Sequence, residues 1–101
     1  MSTSGGPRRQ TARWWRRNGR GAWVDPWSLR LRGGVIHRRD VERYKRDPRA
    51  RATGGDPVCV VRLCGGGSFV REGAHRVTAA RETGRRIRVL WVHEADEQAT
   101  R

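Results

Sequence analysis

The sequence predicts an α+β fold, a small mixed sheet with one short helix packed on it. Three observations predict it. Val58-Cys59-Val60-Val61-Arg62-Leu63 is β-branched and mostly apolar, and Gly65-Gly66-Gly67-Ser68 turns the chain into Phe69-Val70, which reads as a hairpin. Val77, Ala80 and Gly84 fall at i, i+3 and i+7, one face of a helix closed by glycine. Residues 87 to 92, IRVLWV, form a third strand with Ile87, Val89 and Trp91 on one side. Strand and helix patterns alternating in one short chain give this class.

The elements follow in order. Residues 1–22, MSTSGGPRRQTARWWRRNGRGA, are rich in Gly, Ser and Arg with no sustained period, and are expected to be a flexible basic tail. The folded domain is expected over residues 23–93. It begins with a short extended entry at Trp23-Val24-Asp25-Pro26, because a proline drives the residue before it toward β geometry. Trp27 and Leu29 are expected to anchor the core. Gly33-Gly34 breaks the chain, and residues 40–46 read as a short helix with Val41 and Tyr44 on one face. Asp47-Pro48 stops that helix, and residues 49–57 are a Gly/Arg loop. The hairpin, the second helix and the third strand then follow. Residues 94–101 are expected to be a polar C-terminal tail.

The chain has 101 residues, a size for one small domain with a thin core. No apolar run approaches the roughly 20 residues that cross a bilayer, and no secretory signal follows the N-terminus, so the expected compartment is the cytoplasm. The formal net charge is +13. Residues 1–50 carry 14 basic against 4 acidic side chains, and residues 51–101 carry 9 against 6. A field concentrated in one half points to a polyanion partner such as nucleic acid. All the basic residues but Lys45 are Arg, a bias that a GC-rich genome also produces. Within the first segment, Trp14 and Trp15 stand between Arg13, Arg16 and Arg17, and interleaved Arg and Trp can grip phosphates and stack on bases. The same residues could lie on an acidic membrane surface or fold back onto the domain. Cys59 and Cys64, five apart, fall on opposite faces of one strand, so they are expected as two buried, reduced thiols. No set of four metal ligands in a recognised spacing is present.

Chemistry concentrates in Glu72-Gly73-Ala74-His75-Arg76, where a strand turns into a helix. A helix start offers unpaired N–H groups and partial positive charge, and glycine lets a ligand come close to the backbone. Arg76 adds a planar cation suited to phosphate oxygens. His75 can donate a hydrogen bond or titrate, and Glu72 can hold a metal, orient Arg76 or cap the helix. The stretch therefore reads as an anion cradle. Its rival is a Glu72–Arg76 pair that only staples the turn.

Gly73-Ala74-His75-Arg76, with Ala79-Ala80 and Gly84 after it, resembles the G-x-[HR]-R…A…G box of the ParB/sulfiredoxin superfamily. The hairpin before it, the 87–92 strand after it and the 40–46 helix upstream are arranged as in that family, so the resemblance covers residues 23–93. It implies a stand-alone ParB-like domain whose Gly73, Ala74, His75 and Arg76 bind the phosphates of CTP or ATP with magnesium. A nucleotide is the partner the resemblance implies, DNA is the partner expected from the basic N-terminal segment, and a homodimer is left open. A sulfiredoxin reaction is not expected, because Ala74 stands where that enzyme has its cysteine nucleophile. The helix-turn-helix domain and dimerisation tail of full partition proteins are not expected within these 101 residues. Two alternatives stay open. One is a nuclease or nucleotide hydrolase with Glu72 and His75 as catalytic candidates. The other is an accessory protein without catalysis that binds DNA or a protein partner.

Overall fold

A computed structural model describes residues 10–47 and 57–99. The 49–57 loop, apart from residue 57, lies outside the described residues. The order is helix α1 (Ala12–Asn18), strand β1 (Arg20–Val24), a 3₁₀ turn (Pro26–Ser28), helix α2 (Arg38–Arg46), strands β2 (Cys59–Arg62) and β3 (Ser68–Glu72), helix α3 (Ala74–Thr83), strand β4 (Ile87–His93) and helix α4 (Glu94–Ala99). The four strands form one mixed sheet in the order β1-β4-β2-β3. β4 runs antiparallel to β1 and parallel to β2, and β2 and β3 form the expected antiparallel hairpin. A bridge between Arg30 and Phe69 extends the sheet past β3.

The α+β class and the mixed sheet are as expected. Both faces of the sheet are covered, because successive side chains of β2 point to opposite sides and both sets are apolar. On one face Val58, Val60, Val70 and Val89 pack with Leu29 and with Val77 of α3. On the other, Cys59, Val61 and Val92 pack with Trp15 of α1. α2 packs on α3. Its Val41 and Tyr44 face Ala79 on the outer side of α3, so α3 is covered on two sides. This explains its small apolar residues, since Ala79 and Ala80 let α2 and the sheet approach the same helix.

Two segments differ from expectation at the N-terminal end. Residues 10–22 belong to the folded unit; residues 1–9 lie outside the described residues. α1 forms because Thr11 caps it, its Oγ1 accepting the Trp14 N–H at 3.1 Å, and because Trp15 is buried to 2% exposure. β1 forms because β4 offers it a full antiparallel register from Arg20↔Trp91 to Val24↔Ile87. The C-terminal segment also differs from a tail: residues 94–99 are helical. Its Glu97 is 7% exposed and accepts hydrogen bonds from Arg71 Nε, at 2.9 Å, and from Arg71 Nη2. The pair pins α4 to β3, and breaking it would leave a buried charge unpaired.

Two core assignments change as well. Leu29 is buried, but Trp27 is 68% exposed and lies against the Arg81 guanidinium, 4.7 Å from the ring centroid. Arg81 also donates from Nε to Pro26 O at 3.1 Å and from Nη2 to Leu29 O, so it ties α3 to the 3₁₀ turn. Cys59 is buried and free, while Cys64 is free and exposed, because β2 ends at Arg62 and Cys64 sits in the turn.

A charge network joins α2 to α3. Arg38 donates to both carboxylate oxygens of Glu82, at 2.6 and 2.8 Å, and to Glu42 at 2.9 Å. Lys45 donates to Glu42 and Glu82, each at 3.2 Å. Hydrogen bonds from Arg38, and secondarily from Lys45, hold the Glu82 carboxyl down to about 2 from an ordinary 4.5. A depressed folded-state value stabilises the fold above the unfolded value and is lost as pH falls through the folded one. The urea midpoint of the wild type should therefore exceed that of Glu82→Gln above pH 4.5, with the gap closing by about pH 2. The gap should be small, because the network is open to solvent. A gap that persists unchanged at low pH would mean that Glu82 contributes through packing.

Candidate functional site

The turn between β3 and α3 is built by glycine. Gly73 has φ +102°, in the left-handed region, and N-caps α3 without a side-chain cap hydrogen bond. A Cβ there would lie 3.0 and 3.1 Å from the two methyl carbons of Val58 and 3.2 Å from its Cα. The glycine is thus required by the fold itself, because the buried Val58 fills the space a side chain would take. α3 ends as expected on Gly84, at φ +67°, where the Arg85 N–H reaches back to Ala80 O at 3.0 Å.

The first turn of α3 presents the Ala74, His75 and Arg76 backbone with no acidic side chain among them. Such a start carries partial positive charge. His75 is engaged: its Nε2 accepts the backbone N–H of His37 at 3.1 Å, and the two imidazoles stack at 5.6 Å and 17°. An accepting Nε2 leaves the ring proton on Nδ1 in the neutral form. His75 thereby ties the start of α2 to the start of α3, a contact that no sequence pattern announced. The Arg76 guanidinium stands 5.9 Å from the centroid of the Tyr44 ring, on the α2 side. Glu72 ends β3 opposite Cys59 and lines a small cavity with Trp15, Cys59 and Arg71, on the sheet face that carries α1. Among the described residues, no three His, Cys, Asp or Glu side chains gather as a metal-binding group. Among them, too, no helix is long and apolar enough to cross a membrane.

The residues expected to hold nucleic acid divide. Arg13, Arg16 and Arg17 are exposed on α1. Trp15 is in the core, and Trp14 packs edge-on against it at 5.3 Å with a buried Nε1. Neither ring is presented as a stacking platform. A scan against protein-family models and a search of curated proteins each return no match.

Proposed function

We propose that the chain is a small phosphate-binding domain of ParB-like type, in which the start of α3 holds the phosphates of CTP or ATP. The observation that carries this reading is the uncapped, acid-free first turn of α3 behind a left-handed glycine. The Ala74 and His75 amides and the Arg76 guanidinium supply the contacts, and the Gly73–Arg76 box supports the assignment. His75 acts through its backbone and as the support of the His37 segment. Magnesium would arrive with the nucleotide, held by its phosphate oxygens.

A charge-assisted hydrogen bond contributes about 1.5–3 kcal/mol, so Arg76→Ala should weaken nucleotide binding about tenfold or more. Ala74→Ser should bind as the wild type does, since only its backbone acts. Calorimetric titration with each nucleotide, with and without magnesium, beside a melting curve for each variant, reads both effects. If Arg76 only supports Tyr44 or pairs with Glu72, its removal lowers the melting temperature and leaves affinity untouched. No heat with either nucleotide in the intact protein ends the proposal.

A second reading, contact with duplex DNA, is favoured by the exposure of Arg13, Arg16 and Arg17 along α1. Changing Arg13 and Arg17 to Gln should reduce the salt dependence of duplex binding by up to about two counterions without lowering the melting temperature. An unchanged slope would remove these residues from the contact.

A further inference from the structure

One end of the sheet carries a second cationic feature, and it is aromatic as well. Arg20 lies opposite Trp91 across β1 and β4, and Arg62 lies opposite His93 across β2 and β4. Paired residues, and residues two apart on a strand, project to the same side, so these four share one face. The Arg62 guanidinium carbon is 3.7 Å from the Trp91 ring centroid, and that of Arg20 is 5.4 Å away. His93 meets the same ring edge-on at 5.2 Å. Trp91 is partly buried against the core, while Arg20, Arg62 and His93 are exposed.

This cluster is distinguished by two guanidinium groups meeting at one ring, both without a carboxylate partner among the described residues. Arg38, Lys45 and Arg71 each rest on a carboxylate. Among the described residues, neither Arg20 nor Arg62 does. Two guanidinium groups are thus held beside one ring without a counter-charge, which is the complement of an anionic partner. The planar groups narrow the choice of anion. A guanidinium lying on an indole extends the π surface outward, and an unpaired base can stack on such a plane while its phosphates meet a neighbouring Arg. Duplex bases are already stacked and cannot do this.

We propose that the Arg20–Trp91–Arg62–His93 face binds single-stranded nucleic acid, with a base stacked on the Arg62–Trp91 pair and flanking phosphate on Arg20. The face is separate from the start of α3. Arg62 ends β2 and Glu72 lies opposite the residue that begins it, three strand steps or about 10 Å apart. It is also separate from α1, which packs on the other side of the sheet.

The test is fluorescence anisotropy of the full chain with a labelled oligothymidylate of about 15 nucleotides, beside a hairpin duplex of the same charge. Arg62→Lys keeps the charge and removes the plane; it should weaken single-strand binding about fivefold or more. Trp91→Leu should weaken it about tenfold or more, and Trp91→Phe should stay within about threefold. Duplex affinity should stay within about twofold for all three. Arg62 is exposed, so its variant decides the matter even where Trp91→Leu fails to fold. Unchanged single-strand affinity in Arg62→Lys overturns the proposal. So does an equal loss on duplex, which would make the face a charge patch only. Displacement of the oligonucleotide by polyglutamate at matched charge would likewise overturn it, in favour of an acidic protein partner.

Discussion

Trp15→Ala is expected to destabilise the protein by about 3–5 kcal/mol, the cost of emptying a large aromatic site in a packed interior. The ring is 2% exposed and packs with Cys59, Val61 and Val92. Domains of this size hold only about 5–15 kcal/mol in all, so the variant should melt far below the wild type or fail to fold. Denaturant unfolding checks it. Were residues 10–22 a tail that only touches nucleic acid, the same variant would keep its melting temperature and lose affinity alone. Trp15→Phe should recover much of the loss, since it keeps an aromatic ring in the site.

Gly73→Ala carries the second large effect. A non-glycine residue in the left-handed region costs about 1–2 kcal/mol, and forcing a methyl group against a packed neighbour costs about 1–3 more. The neighbour is Val58, itself 4% exposed and packed in the core. A destabilisation of about 2–5 kcal/mol is expected. Gly84→Ala supplies the control. It too has a positive φ, but nothing lies within 4 Å of the added carbon, so it should lose only the backbone part. Equal losses at the two positions would show that Val58 yields. The comparison also bears on the phosphate site: a Gly73 variant confounds binding with folding, so Arg76 and Ala74 are the residues on which binding is decided.

The parts of the fold legible in the sequence were those whose pattern repeats. The 59–62 and 87–93 strands are apolar on both faces, α3 has small residues at helical spacing between two glycines, and Val41 and Tyr44 mark one side of α2. The parts that were not legible depend on a single anchor supplied from elsewhere. α1 buries one residue, Trp15, and leaves Arg13, Arg16 and Arg17 in water, so it shows no period. The Thr11 cap three residues before Trp14 was the available signal. β1, reading RGAWV, has glycine and arginine in it and becomes a strand only because β4 pairs with it. α4 is polar except in its use of Glu97, which is buried only because Arg71 meets it. At the candidate site, the glycine turn and the helix start could be read directly. The stacking of His75 on His37 could not, because it joins residues 38 positions apart.

The strand order carries a consequence for how this protein is made. β4 comes last among the described strands, yet it lies inside the sheet between β1 and β2. During synthesis, Trp15 and β1 leave the ribosome with neither β4 to pair with nor the β2–β4 surface to cover them. The N-terminal segment therefore cannot fold as it emerges. It must wait, with Trp14 and Trp15 uncovered, until residue 93 is free, and then β4 joins β1 to the β2–β3 hairpin by pairing with both β1 and β2. Such closure is slow for a chain of this length, and the waiting segment is what a chaperone, or another copy of the nascent chain, would meet first.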